Sequence, residues 1–165
     1  VRILVISDTH IPVVSDKLPE VVIEEAKKSD FCIHAGDFIS ADVFDCLSKI
    51  TKSYGVCGNM DESDLRGKLP EKQVIQFGDI RLGLIHGRGS PAALMDYINA
   101  EFKNELNALD IIVFGHTHHP LDKEICGRIY FNPGSCTDTI FAPYSSYGIL
   151  EIKGKSIKRM VVKIG

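Results

Sequence analysis

Two pairs of residues, Asp8 with His10 and His116 with His118, set donor side chains two positions apart just after an apolar run. In extended backbone that spacing points both groups the same way, toward one ion. Asp37 follows Gly36, Asn59 follows Gly58, and His86 closes a further apolar run. Singly, an Asp-x-His is more often a turn aspartate beside a loop histidine, and Gly-Asp or Gly-Asn is an ordinary turn dipeptide. Together, five separate apolar segments end in imidazole, carboxylate or carboxamide groups. A shared metal site accounts for that placement; independent turns do not. Mixed nitrogen and oxygen donors suit Mn, Fe, Zn or Ni and need no thiolate. Seven donors are enough for two ions. If one carboxylate bridges, ions ~3.5–4 Å apart can share a hydroxide whose pKa falls toward neutrality, which is the chemistry of phosphoester hydrolysis.

The segments that must carry these groups are legible from periodicity. Residues 1–7 (VRILVIS) are apolar on both alternating faces, as a strand covered on both sides requires. Residues 17–28 place Leu18, Val21, Val22 and Ala26 on one helical face, and FCIHAGD follows as a second buried strand. Ser40 can cap a helix with a stripe of Val43, Phe44, Leu47 and Ile50, and YGVCGN reads as a third strand. This β-α-β-α-β order implies a parallel sheet covered by helices. KQVIQF and IRLGLIHG, separated by Gly78 and Asp79, predict an antiparallel hairpin. Ser90 and Pro91 resemble a helix start for Leu94, Ile98, Phe102 and Leu106, and the apolar strand DIIVFGHTHH comes next. Beyond Pro120, KEICG, RIYFNPGS, SYGILEIKG and SIKRMVVKI read as strands. Two packed sheets covered outside by helices fit this order.

A length of 165 residues, 44% hydrophobic and 25% charged, is ordinary for one globular domain, expected to span residues 1–165. The net charge of -3 comes from 19 basic and 22 acidic residues spread along the chain. It gives no electrostatic reason to expect a nucleic-acid backbone or an anionic membrane as partner. No apolar stretch approaches the roughly 20 residues that span a bilayer. The first residues read as a strand and not a signal core, so a soluble, cytoplasmic location is expected. Five cysteines without CxxC spacing suggest neither a disulfide framework nor a thiolate zinc site.

In order, SDTH, AGDF, CGNM, IHG and GHTH meet the signature DxH, GD, GN, His and GHxH. Over residues 7–118 the sequence thus resembles the calcineurin-like metallophosphoesterase superfamily. With NPGS at 132–135 it is most similar to the small phosphodiesterase branch of bacteria and archaea. The resemblance implies an α/β fold, a four-layer α/β/β/α sandwich of two mixed sheets flanked by helices. It implies that Asp8, His10 and His118 hold one metal, that Asn59, His86 and His116 hold the other, and that Asp37 bridges them. Asp37, Asn59 and His86 are identified as the catalytic members of this set. The cofactors implied are two divalent ions, Mn foremost, with Ni, Fe or Zn as alternatives. The reaction implied is in-line attack of a metal-bridging hydroxide on a small phosphodiester.

One position departs from the superfamily. Where GN is usually followed by a histidine that serves the leaving group, this chain has Met60, which cannot transfer a proton. A diester with a good leaving group is therefore favoured over a phosphomonoester or phosphoprotein substrate. A non-catalytic scaffold, as in the similar retromer subunit, is the alternative from another class. Several neighbours have both a structural and a functional reading. Asp61 reads as a hydrogen-bond acceptor behind the site or as a helix cap, His34 as a hydrogen-bonded residue of the core or behind a ligand, and His119 as an exposed loop residue or a substitute acid. Arg88 could meet a substrate phosphate or simply lie in solvent, and NPGS reads as a turn that lines or braces the site or, adequately, as one that merely joins strands. The alternating C-terminal strands hint at an edge for homodimer pairing.

Overall fold

The doubly apolar opening segment is a central strand, β1 (Arg2–Ile6), in a computed structural model that describes residues 1–165. After it come α1 (Glu20–Lys28), β2 (Phe31–His34), α2 (Ala41–Ile50) and β3 (Lys52–Gly55), the expected β-α-β-α-β order. A short helix, α3 (Ser63–Lys68), leads into the hairpin of β4 (Lys72–Phe77) and β5 (Ile80–Ile85), which turns at Gly78 and Asp79. The chain continues through α4 (Leu94–Glu101), a 3-10 turn (Leu106–Ala108) and β6 (Ile111–Val113). It ends in β7 (Leu121–Ile125), β8 (Arg128–Asn132), β9 (Ser146–Lys153) and β10 (Ser156–Lys163).

The strands form two five-stranded sheets, ordered β10-β9-β1-β2-β3 and β4-β5-β6-β8-β7. In the first, β1, β2 and β3 run parallel while β9 and β10 pair antiparallel. In the second, β5, β6 and β8 run parallel between antiparallel β4 and β7. The parallel sheet expected of the β-α-β units is thus one side of a mixed one, with β3 at its edge.

The period-2 pattern of β1 explains the layering. Ile3 and Val5 enter a core shared with Leu82, Leu84, Ile111, Val113 and Phe131, so this face packs sheet on sheet. Leu4 and Ile6 point the other way, into a cluster with Val22 and Ala26 of α1, Val43 and Leu47 of α2, and Leu65 of α3. On the far side of the second sheet, Ile112 and Tyr130 pack against Leu94 and Ile98 of α4. The result is the four-layer α/β/β/α sandwich. No helix is long and apolar enough to cross a membrane.

Several boundaries differ from the periodic reading. The first helix begins at Glu20, because Pro19 occupies its N-cap in an extended conformation. Ser40 caps α2 as expected, its side chain accepting from Asp42 N–H. The third strand pairs over Lys52–Gly55, earlier than YGVCGN, and Val56 and Cys57 are buried beyond the ladder. Around Ser90 and Pro91 there is only a turn; α4 proper starts at Leu94, and Leu106 belongs to the separate 3-10 turn. α3 escaped sequence reading because six residues including Gly67 carry almost no periodic signal.

Candidate metal centre

Parallel pairing carries two acidic side chains to one place. The β1–β2 ladder continues past both strands, with Asp8 N–H donating to Gly36 O and His10 N–H to Asp37 O, each at 3.0 Å. In the second sheet, Gly115 N–H donates to His86 O at 3.0 Å, which sets His86 beside the turn of His116 and His118. The sheets meet where His116 N–H donates to the Asp8 carboxylate, 3.1 Å from either oxygen. Donor residues thus follow the C-terminal ends of β1, β2, β5 and β6, the end where α/β sheets place their ligands.

Five of the seven sequence-predicted ligands converge. Asp8, His10 and His118 form one trio and Asp8, Asp37 and His86 another, the ligand atoms of each lying within 4.8 Å of one another. His10 Nε2 and His118 Nε2 are 3.1 Å apart, and Asp37 Oδ2 lies 3.2 Å from His86 Nε2 and 3.7 Å from His10 Nε2. The other two are close by but outside these trios. The His116 ring stands nearly perpendicular to that of His86, centroids 5.4 Å apart, and Asn59 is exposed on the wall of a cleft it shares with His86, Gly87 and Arg88.

Three of the histidines have one ring nitrogen committed to a fixed acceptor. His86 Nδ1–H donates to Ala35 O (2.7 Å), His116 Nε2–H to Gly89 O (2.8 Å), and His118 Nδ1–H to the Asp138 carboxylate. Each bond selects a tautomer and leaves the opposite nitrogen with a lone pair, the usual orientation of a metal-binding imidazole. His86 Nε2 is buried without a well-directed hydrogen-bond partner, so an ion there would satisfy an otherwise orphaned atom. Buried carboxylates and imidazoles with such free atoms fit a divalent cation.

The electrostatics agree. Burial pushes the Asp8 carboxyl above its ordinary range, with His86 and His118 opposing the shift. Burial acts on Asp37 in the same direction but is outweighed by contact with His86, so its carboxyl sits below the usual value. For His86 burial lowers the pKa, yet the facing carboxylates of Asp37 and Asp8 win and raise it to about 9. Two carboxylates that favour positive charge on His86 favour a divalent cation at the same nitrogen.

The backbone is strained where the ligands are. Seven residues other than glycine have positive φ, and five of them are Asp8, His10, Asp37, His116 and His118. Conformations of this kind cost roughly 1–3 kcal/mol each and persist only where the surroundings enforce them. Gly58 supplies the necessary clearance, since a Cβ there would stand 2.0 Å from Asp37 Oδ1.

Several braces were not assigned from sequence. Asp138 is buried and accepts N–H groups from Ile140 (2.7 Å), Phe141 (3.0 Å) and Ala142 (3.2 Å) while holding His118. Nothing in the local pattern marks it apart from its place after NPGS. NPGS is more than a turn that joins strands. Asn132 Nδ2 donates to Gly115 O (2.9 Å) and Ser135 Oγ to Asp8 O (2.7 Å), so this loop ties both Asp-x-His and GHTH into position. Asp61 accepts from Gly58 N (2.7 Å), Ile39 N (2.8 Å) and Asp37 N (3.2 Å), joining the GD and GN turns; it does not cap α3.

Three further neighbours surround this centre. His34 is buried, stacks on Phe38 and bonds Thr9 Oγ1 (3.1 Å) and Gly36 N–H (3.2 Å). His119 is exposed and donates Nδ1–H to Thr117 O (2.8 Å). Arg88 is exposed and forms no salt bridge.

Comparison with known proteins identifies the family. Residues 1–155 match the family model of the calcineurin-like phosphoesterase superfamily domain. The chain belongs to that superfamily. A probable metallophosphoesterase of Methanothermobacter thermautotrophicus is 30% identical over 164 residues, covering 98% of this chain and 91% of the relative. A Thermotoga maritima protein solved in solution superposes with a TM-score of 0.78 at 34% identity, over 99% of both chains. Zinc-complexed Vps29 from Entamoeba histolytica superposes at 0.77 with 26% identity, also over 99% of both.

Proposed function

We propose that this chain is a metal-dependent phosphodiesterase acting on a small substrate with a good leaving group. In this reading Asp8, His10 and His118 would hold one divalent ion and Asn59, His86 and His116 a second, with Asp37 shared by both. Mn is the foremost candidate. Divalent ions bound there supply positive charge for the phosphoryl oxygens and a nucleophile at neutral pH. The observation that carries the reading is the convergence of Asp8 and Asp37 on three histidines, one of them with an orphaned buried Nε2.

The chain's own groups divide the work. The fixed acceptors Ala35 O, Gly89 O and Asp138 orient three imidazoles, so the rings need no rotation to present their opposite nitrogens. The low Asp37 pKa keeps its carboxylate ionised at neutral pH. Met60 bonds Asp37 Oδ1 through its N–H (2.8 Å), and its side chain is exposed. A thioether cannot donate a proton to a departing oxygen, which favours diesters whose alcohol leaves unaided.

The test is turnover of bis(p-nitrophenyl) phosphate and p-nitrophenyl phosphate by Mn-loaded protein, with metal content measured. Diester hydrolysis is expected to exceed monoester hydrolysis and to vanish on chelation, and Met60→His is expected to raise the monoester rate. A native preference for the monoester would favour a phosphomonoesterase. A second, non-catalytic reading draws on the likeness to Vps29 over the whole chain. It would gain from an absence of turnover on any phosphoester by metal-replete protein, together with a stable co-purifying partner.

A further inference from the structure

The four most exposed large apolar side chains of the molecule are Ile140 (79%), Phe141 (74%), Val13 (73%) and Met60 (54%). None is scattered. Val13 and Val14 both donate their N–H groups to His10 O, at 2.7 and 2.8 Å. Ile140 and Phe141 both donate to Asp138 Oδ1, and Asp138 holds His118. His10 and His118 are themselves in contact through their Nε2 atoms. Two loops from distant parts of the chain thus start from neighbouring ligand candidates, and each carries exposed apolar side chains. Met60 follows Asn59 and is bonded to Asp37, so it stands at the same mouth.

Apolar side chains kept in water beside a site are a cost to solubility that binding can offset. Their backbones are hydrogen-bonded, so the exposure belongs to an ordered surface. The cleft at Asn59 and His86 is different in kind: its lining is mostly polar, with Arg66, Arg88 and Glu71 among it. A phosphodiester has the matching polarity, a central anion with organic groups on either side.

Resting on the phosphodiesterase reading above, we propose that the Val13–Val14 and Ile140–Phe141 loops form an apolar subsite. Its occupant is an aromatic or similarly apolar group carried by the substrate phosphorus. Such a group needs no proton to leave when it is an aryl oxide, which is consistent with methionine at position 60.

The probes are phenylphosphonate and methylphosphonate, whose P–C bonds are not hydrolysed, titrated calorimetrically into Mn-loaded full-length protein. Phenylphosphonate is expected to bind about tenfold more tightly, the scale of partial burial of one ring. In the triple variant Val13→Ser, Ile140→Ser, Phe141→Ser its affinity is expected to fall to that of methylphosphonate. These side chains are exposed, so the substitutions remove no core contact, and Met160→Ser on β10 serves as an exposed apolar control that keeps the ratio. Equal binding of the two probes by the native protein would overturn the subsite, as would a ratio that survives the triple substitution. Light scattering runs alongside: a native dimer that the triple variant dissociates would mean that a second copy covers these loops, and would also overturn it. The two readings fail separately. Turnover of phosphodiesters without a phenyl preference defeats only the subsite, and a phenyl preference without any turnover defeats only the enzyme.

Discussion

On one side of the centre, His118 hangs on a carboxylate, Asp138, that is itself held by three backbone N–H groups. On the other, His86 and His116 are steered by main-chain carbonyls, those of Ala35 and Gly89. The first half is already gathered, with His10 and His118 in contact. The second is more open: Asn59 is exposed, and only its carbonyl is tied down, by Arg66 at 3.0 Å. A side-chain brace is negatively charged and strengthens the imidazole as a ligand, but one substitution removes it. A main-chain brace cannot be mutated away directly; it shifts only when its backbone is strained. The two halves should therefore respond to different perturbations.

The largest effect is expected at the residue common to both. Asp37→Asn should lower turnover by a factor on the order of 10³ and reduce bound metal on both sides, measured by steady-state kinetics and metal analysis. Loss of a single ion would break the picture of a shared carboxylate. Asp138→Asn keeps the shape of the brace but removes its charge, and should weaken metal binding about 10–100-fold in the His10–His118 half alone. Calorimetry should then resolve one weakened and one native site; equal weakening of both would dissolve the comparison.

Acid should act first on the other half. The His86 value of about 9 lies above its ordinary 6.5. Its charged form therefore stabilises the metal-free fold fully below pH 6.5, and that contribution is lost as the pH rises through about 9. A metal ion competes for the same nitrogen, so its affinity runs the opposite way. It should weaken roughly tenfold per pH unit below 9 for each proton displaced. Metal titrations at pH 7 and 8 would show it, and a flat profile would refute the assignment. The smallest effect is expected for Gly89→Ala. Its Cβ would meet open space, but φ of 87° disfavours any side chain. A cost of about 1 kcal/mol and a few-fold loss of metal affinity confined to the His86–His116 half should follow, read from thermal melts and calorimetry.

Much of the site was legible because its residues punctuate strands. A strand covered on both faces has an unmistakable apolar run, and a polar residue that ends it stands out, as Asp8, Asp37, His86 and His116 do. The missing proton donor was equally visible, since Met60 sits at a fixed offset from Asn59. Short helices and strand margins were less legible: α3 has too few turns for periodicity, and β3 shifted because its buried continuation carries no ladder.

By itself, then, the sequence determined the donor types, their places at strand ends, the layered arrangement of apolar faces and the absence of a leaving-group histidine. All of these are local patterns of one to a few residues. Only the tertiary structure decided what holds the donors: Asp138 against His118, Ser135 against Asp8 across 127 positions, and Asp61 beneath the GD and GN turns. It also decided the left-handed backbone of five ligand candidates and the tautomers of three histidines. The physical reason is that a hydrogen bond between distant segments leaves no period in either, and a strained φ outside glycine is imposed by neighbours and not by the residue itself.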